Sequence, residues 1–370
     1  MKPITLIVKP VSTGCNLACD YCYHGEAKKR LQIRRMGDEL LEKLISEFSL
    51  LDQPRSKFLW HGGEPTLAGQ DFFGKAVSLQ KDYFTDERVA MNSIQTNGTT
   101  INESWISFFK MNKFGVGISL DGPKDVHDRH RRDFSGNGTF GRVISRISMM
   151  AASGLHAGVV CTVTKPVVND ARRLLQFFVE NGMTKLNFSP AADLCAGGML
   201  AKYSLSPEEW GYFLHELFDA WVELGNKDVE IQLFENLLQV AFGGEAKLCT
   251  INRNCGEFIS VDADGLVYVC GRFLGNKDFL AGDLKDTSLQ EILKSSRCEK
   301  IVSAMTYLPQ RCEDCEAQKF CNGGCAYYRF LDGKQRNDPY FCESMKAATI
   351  HIKEFLLGCG AQDSTIWAKP

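Results

Sequence analysis

The sequence predicts an α/β fold of successive strand–helix units followed by a cysteine-rich region. Three observations carry this: six short apolar strand-like runs, helical segments that fit between them, and fifteen cysteines, eleven of them at residue 195 or beyond. The strand candidates are Ile4–Val8, Phe58–His61, Val89–Gln95, Gly115–Leu120, His156–Thr164 and Lys185–Ser189, β-rich and short enough to be buried strands. Helices are expected at about 38–51, 70–83, 102–113, 139–153 and 170–181. The first carries Leu40, Leu41, Leu44, Ile45 and Phe48 on one side. Asn102 is placed to cap the third helix, and Gly154 and Gly182 to end the last two. A succession of βα units argues for a parallel sheet with helices outside it. The pattern alone leaves an open sheet and a partial barrel equally open.

From about 200 to 245 the text turns helical. Ser206-Pro207-Glu208-Glu209 has the form of a capping box with proline at the first helical position. Leu214, Leu217, Phe218 and Trp221 follow at helix spacing, and a second helix is expected at roughly 230–243. Further on, Asp262-Ala263-Asp264-Gly265 between Phe258-Ile259 and Leu266-Val267-Tyr268 signals a hairpin, and a last helix is expected at about 343–357. The expected domains are 1–200, a helical bridge at 201–245, and a cysteine-rich domain at 246–370.

Composition narrows the function. The 370 residues are 44% hydrophobic, ample for packed cores. With 43 basic and 45 acidic residues the net charge is −2, and no basic stripe suggests nucleic acid. No run of 18 apolar residues and no signal peptide is present, so a cytoplasmic protein with no membrane partner is expected. Fifteen cysteines are unusual for a reducing compartment unless metal uses them.

The loop after the first strand reads Gly14-Cys15-Asn16-Leu17-Ala18-Cys19-Asp20-Tyr21-Cys22. Electron-transfer cubanes are closed by four cysteines. Three in a C-x3-C-x2-C run leave one iron open for chemistry. A zinc site is the alternative and needs a fourth ligand; Cys22-x-His24 is too tightly spaced for usual zinc patterns. The motif resembles that of the radical S-adenosylmethionine (SAM) superfamily, in which SAM chelates the open iron. That resemblance favours the partial (β/α)6 TIM-type barrel, with the cluster loop at a strand C-terminus, where such barrels place their chemistry. It also implies SAM contacts. Trp60-His61-Gly62-Gly63-Glu64-Pro65 looks like the family's GGEP segment, with Gly62, Gly63, Glu64 and Pro65 near the SAM amino group. Asn97, Ser119 and Asp121 end the third and fourth strands. Tyr21 lies in the cysteine loop, and Arg131 is a candidate partner for the SAM carboxylate.

Two further cysteine groups follow: Cys249-x5-Cys255-x14-Cys270, and Cys312-x2-Cys315-x5-Cys321-x3-Cys325-x16-Cys342. Zinc ribbons compete for the C-x2-C and C-x3-C pairs. The whole arrangement resembles the SPASM domain of radical SAM peptide-modifying enzymes, including the anaerobic sulfatase-maturating enzymes. The resemblance implies three 4Fe–4S clusters: one on Cys15, Cys19 and Cys22, an auxiliary cluster on Cys249, Cys255, Cys270 and Cys325, and another on Cys312, Cys315, Cys321 and Cys342. Cys161, Cys298 and Cys359 are left as small hydrophobes. Cys195, in a loop after the sixth strand, is a candidate substrate contact.

Two departures weigh on the reaction expected. Sulfatase maturases carry an aspartate, their base, after the third cysteine of the first auxiliary set; here it is Gly271. They also carry a tyrosine two residues after the third SAM-cluster cysteine; here it is His24. Formylglycine formation needs a proton acceptor. On that ground the expectation is radical carbon crosslinking of a ribosomally made precursor peptide, with His24 and His61 as candidate proton acceptors. Sulfatase maturation is the alternative, and a non-catalytic iron–sulfur carrier or zinc scaffold is the alternative of another class. The expected partners are the peptide, a flavodoxin- or ferredoxin-type electron donor, and a separate leader-binding protein.

Overall fold

The computed structural model describes residues 3–24, 33–53, 55–85, 88–193, 200–331 and 338–361, so Cys195 lies outside the described residues. In chain order the elements begin β1 (Thr5–Val8), α1 (Asp38–Ser49), β2 (Arg55–Trp60), α2 (Gln70–Tyr83), β3 (Val89–Thr96), α3 (Glu103–Met111) and β4 (Gly115–Ser119). They continue with α4 (Lys124–His130), α5 (Phe140–Ala152), β5 (Gly158–Val163), α6 (Ala171–Glu180), β6 (Lys185–Pro190), α7 (Pro207–Leu224), β7 (Glu230–Ile231), α8 (Gln232–Ala241) and α9 (Cys249–Asn252). Last come β8 (Phe258–Val261), β9 (Leu266–Tyr268), β10 (Leu280–Asp283), α10 (Leu289–Lys294), α11 (Ser296–Thr306), α12 (Gln318–Cys321) and α13 (Cys342–Gly358). All six expected strands and all five interleaved helices are present.

The chain forms two compact units, each made of several segments. The first comprises Met1–Leu120, His127–Ala157 and Cys255–Met305. Its strands run β10-β9-β8-β1-β2-β3-β4. β1 to β4 are parallel neighbours, and β8 lies parallel to β1 with Val8 opposite Val261. The expected hairpin is real: β8 and β9 are antiparallel, and Gly265 closes the turn at φ 92. Because β8 runs with β1, the loops after β1, β2, β3, β4 and β8 emerge at one edge. The core is an aromatic cluster in which Trp60 meets Phe72 and Phe73 edge-on, and Phe73 meets Trp105 and Phe114. Trp60, Phe72 and Phe73 are almost wholly buried, each contributing on the order of 1.5–3 kcal/mol. Asn102 caps α3 by accepting from the Trp105 amide at 3.0 Å.

The second unit comprises Asp121–Val126, Gly158–Asn254 and Thr306–Pro370. β5 pairs in parallel with β6, and β6 with β7. The capping box at Ser206 and Glu209 starts α7. Phe188 packs on Phe178 and Phe213, and α13 lies along α7 through Phe355 against Phe218. Among the described residues no helix is long and apolar enough to cross a membrane.

Candidate functional site

In the first unit the cysteine loop follows β1 and is held from two sides. Ala18 donates to the Arg132 carbonyl at 2.7 Å and Asp20 to the His130 carbonyl at 3.3 Å. The segment after β2 fixes the other side: Gly63 and Glu64 donate to the Ser12 and Gly14 carbonyls at 2.9 and 2.7 Å. A Cβ on Gly63 would stand 1.9 Å from the Gly14 oxygen, so only glycine permits this approach. Gly62 holds a φ of 124, again a glycine conformation.

Glu64 is buried and its carboxylate is taken up within the chain. Oε1 accepts from Thr66 N, Thr66 Oγ1 and Thr96 Oγ1 at 3.1, 2.6 and 2.8 Å, and Oε2 from Asn97 N at 2.7 Å. Burial nonetheless pushes its pKa above the usual carboxylate value. Glu64 thus ties the loops after β2 and β3 together, and what the segment can offer a ligand is its backbone. Asn97 extends the network, with Nδ2 donating to Asn16 Oδ1 at 2.8 Å and lying 3.8 Å from Cys15 Sγ. Ser119 Oγ accepts from Gln95 Nε2 at 3.1 Å. Tyr21 lies against His130, and the Arg131 guanidinium sits 5.4 Å from the Tyr21 ring centroid. In the second unit the Asp121 side chain accepts from Thr162 N at 3.0 Å, and its carbonyl accepts from the buried Cys161 thiol.

The three cysteines share one electrostatic environment. Burial, then Glu64, then Cys19 and Cys22 push the Cys15 thiol up to about 12, partly opposed by the Leu17 amide. A bare Cys15 thiolate is therefore disfavoured, and a cationic iron core is what would make it stable. The same holds in the second unit, where burial and the neighbouring Cys342, Cys312 and Cys315 push Cys321 up to about 12. Cys255 and Cys270 flank the β8–β9 hairpin of the first unit, while Cys249 opens α9 and Cys325 follows α12 in the second. None of the described cysteines forms a disulfide; Cys298 is buried in α11 and Cys359 is exposed beyond α13.

His61 and His24 both lie among the described residues. His61 Nδ1 accepts from the Gly62 amide at 2.6 Å, and burial followed by the nearby Lys9 charge lowers its pKa to about 4. Its imidazole is thus neutral near pH 7, with Nε2 left as a donor. The His24 ring lies tilted against Tyr23, with ring centroids 4.1 Å apart. Sequence reasoning missed two charged groups of this unit, Lys9 and Asp262. Lys9, at the end of β1, is wholly buried and donates from Nζ to the Gly271 carbonyl at 2.8 Å. Burial lowers its pKa to about 8, against the pull of Asp262, Cys270 and Cys22. Asp262, after β8, accepts from Ser12 Oγ at 3.0 Å. The available signal was a lysine ending an apolar strand, Ile4-Thr5-Leu6-Ile7-Val8-Lys9.

This arrangement has known counterparts. Residues 10–178 match the Radical SAM superfamily, and residues 243–316 match SPASM, an iron–sulfur cluster-binding domain. The chain is 32% identical to a cysteine-type anaerobic sulfatase-maturating enzyme of Clostridium perfringens, over 94% of this chain and 95% of the relative. It is 33% identical to a serine-type enzyme of Bacteroides thetaiotaomicron, over 96% and 91%. The chain belongs to the radical SAM family of anaerobic sulfatase-maturating enzymes. A solved structure of native anSMEcpe with bound AdoMet superposes with a TM-score of 0.88 at 30% identity, covering 96% of this chain and 99% of that one. The fold class is the one expected, and the enzyme uses SAM and a 4Fe–4S cluster, with auxiliary clusters in the SPASM domain. Among the described residues no three or more His, Cys, Asp or Glu side chains are gathered as a metal-ion site.

One expectation is corrected. Gly271 in place of an aspartate was the ground for expecting carbon crosslinking of a precursor peptide. SuiB from Streptococcus suis, solved bound to the precursor peptide SuiA, matches this radical SAM enzyme at only 16% identity and a TM-score of 0.65, which shows a shared fold alone. The similarity to both types of sulfatase maturase, running through nearly the whole chain, outweighs one residue. A proton acceptor can be supplied from another position, so its absence at 271 does not change the reaction class.

Proposed function

We propose that this enzyme is a sulfatase maturase, oxidising a cysteine or serine side chain of a sulfatase polypeptide to formylglycine. The supporting observation is the identity of about a third with maturases of both types over more than nine-tenths of the chain. In this reading Cys15, Cys19 and Cys22 hold the SAM-binding cluster. Cys312, Cys315, Cys321 and Cys342 hold one auxiliary cluster, and Cys249, Cys255, Cys270 and Cys325 are the set for the other. The backbone of Gly62 to Pro65 takes the SAM amino group, with Asn97, Ser119, Tyr21 and Arg131 as further contacts. Asp121 remains a contact on the same resemblance. A flavodoxin- or ferredoxin-type protein supplies electrons. The leader-binding protein belonged to the crosslinking expectation and has no part here.

When bound, SAM and its cluster supply a 5′-deoxyadenosyl radical that takes hydrogen from the substrate Cβ. The protein must then accept the thiol or hydroxyl proton. His61 is a poor acceptor, because its Nδ1 is engaged by Gly62 and its pKa is low. Lys9 stands at Gly271 itself, and a pKa of about 8 gives it a neutral fraction at working pH. Lys9 is therefore the acceptor we assign in place of the aspartate. The test is anaerobic incubation of the reconstituted enzyme with SAM, reductant and sulfatase-derived peptides bearing cysteine or serine. A mass loss of about 18 Da from cysteine, or about 2 Da from serine, with 5′-deoxyadenosine as co-product, is expected. Production of 5′-deoxyadenosine with no change in either peptide would refute the proposal.

A further inference from the structure

Resting on that reading, one side chain outside the SAM site bears on where the substrate's electron goes. Arg311, directly before Cys312, points its Nη2 at Cys342 Sγ, 3.3 Å away. Two carboxylates hold the guanidinium in that pose: Asp338 Oδ2 accepts from Nη1 at 2.6 Å, and Glu343 Oε1 from Nη2 at 2.8 Å. A fork clamped on both arms keeps its direction even though Arg311 is half exposed. A second guanidinium, that of Arg329, is 1% exposed, donates to the Tyr307 carbonyl, and lies within Coulombic reach of Cys312.

We infer that Arg311 donates a hydrogen bond to the Cys342 sulfur of the auxiliary cluster on Cys312, Cys315, Cys321 and Cys342, and so favours that cluster's one-electron reduction. Hydrogen bonds to the sulfurs and local positive charge stabilise the more negative reduced state, and so raise a cluster's potential. The two carboxylates offset the net charge of Arg311 at longer range, which leaves the N–H···S contact as its main influence. The chemistry gives this a use. Oxidising the substrate removes a hydrogen atom to the 5′-deoxyadenosyl radical, a proton to the protein and one electron, and a cluster poised for reduction receives that electron before the external carrier.

The test is potentiometric titration of the reconstituted full chain, followed by electron paramagnetic resonance, with iron content measured in parallel. Cys315→Ala should delete one cluster signal, and that signal is then followed. In Arg311→Gln its reduced-to-oxidised ratio at the wild-type midpoint should fall about tenfold, equal to about 59 mV for a one-electron couple, with the other signals unmoved. Arg311→Lys, which keeps the charge without the fork, should shift it less. An unchanged midpoint in fully loaded Arg311→Gln overturns the inference. Loss of that cluster's iron in both Arg311 variants also overturns it, because Arg311 would then be a structural clamp. If Cys315→Ala removes no signal, the ligand set itself fails, and the inference with it.

Discussion

Lys9→Met should make the apo protein more stable and the enzyme slower. Lys9 is wholly buried, and its pKa falls from 10.5 to about 8, chiefly through burial. The sign follows from proton counts. Between those values the unfolded chain binds a proton that the folded chain does not, so stability rises with pH across that window. Below pH 8 the cost of the buried ammonium is present in full. At about 1.4 kcal/mol per unit it amounts to roughly 3 kcal/mol. Methionine has a similar length and no charge, but it forfeits the hydrogen bond to Gly271, worth about 1–2 kcal/mol, and leaves Asp262 without its nearby cation. The net gain expected at pH 7 is therefore about 1–2 kcal/mol, falling to about zero near pH 9.5 and reversing above it, so the stability test of the sign is the pH 7 value. Urea midpoints of the cluster-free protein at pH 7 and 9.5 measure it. The loaded variant should still release 5′-deoxyadenosine while forming far less formylglycine, by about 10²–10⁴-fold for a lost proton acceptor. A Lys9→Met protein less stable at pH 7, or one with undiminished formylglycine yield, would refute the reasoning.

Gly63→Ala should abolish SAM binding, read by equilibrium dialysis, because its methyl group would sit 1.9 Å from the Gly14 carbonyl and push the cysteine loop away. Glu64→Gln should lower the thermal midpoint, with a loss of about 1–3 kcal/mol, since an amide nitrogen would face a buried donor that now meets a carboxylate. Joint replacement of Cys15, Cys19 and Cys22 by alanine should stop SAM cleavage and leave about eight of twelve irons bound; iron analysis showing zinc in the balance would count against three cubanes. Gly271→Asp should raise the formylglycine rate, because a Cβ there stands 3.5 Å from Ser260 Oγ and 3.6 Å from Lys9 Cε, room enough for a carboxylate beside the amine. A folded, loaded Gly271→Asp enzyme with no gain would refute this expectation.

Most of the first unit was legible because its signals are local. Strands β1 to β4 and helices α1 to α3 appear within a few residues of the expected positions, since apolar runs, the Asn102 cap and helix spacing act over one or two turns. The capping box at Ser206 and the hairpin at Asp262 to Gly265 were equally readable. The parallel seating of β8 on β1 was not, because it joins residues some 250 apart that no short-range signal links. Lys9 was hidden for the same reason: in sequence it only ends a strand, and its partner is the carbonyl of Gly271. The Arg311 contact was hidden too, since it depends on Asp338, Cys342 and Glu343 returning to residue 311.

The same distinction explains why the reaction was misjudged while the cofactor chemistry was not. Three cysteines on one short loop carry their meaning in spacing alone, because the cluster must be spanned by adjacent backbone. A general base carries no such constraint. It needs only a proton-accepting atom near the substrate, and the fold sets Lys9, after β1, against the loop that follows β9. Lys9, just after β1, and residue 271, in the loop that follows β9, converge on a single hydrogen bond. A carboxylate lost from one side of that contact leaves the amine on the other, lowered toward neutrality by its own burial. A missing residue in a linear motif is thus weak evidence against a reaction wherever the fold brings another proton-accepting group to the same point.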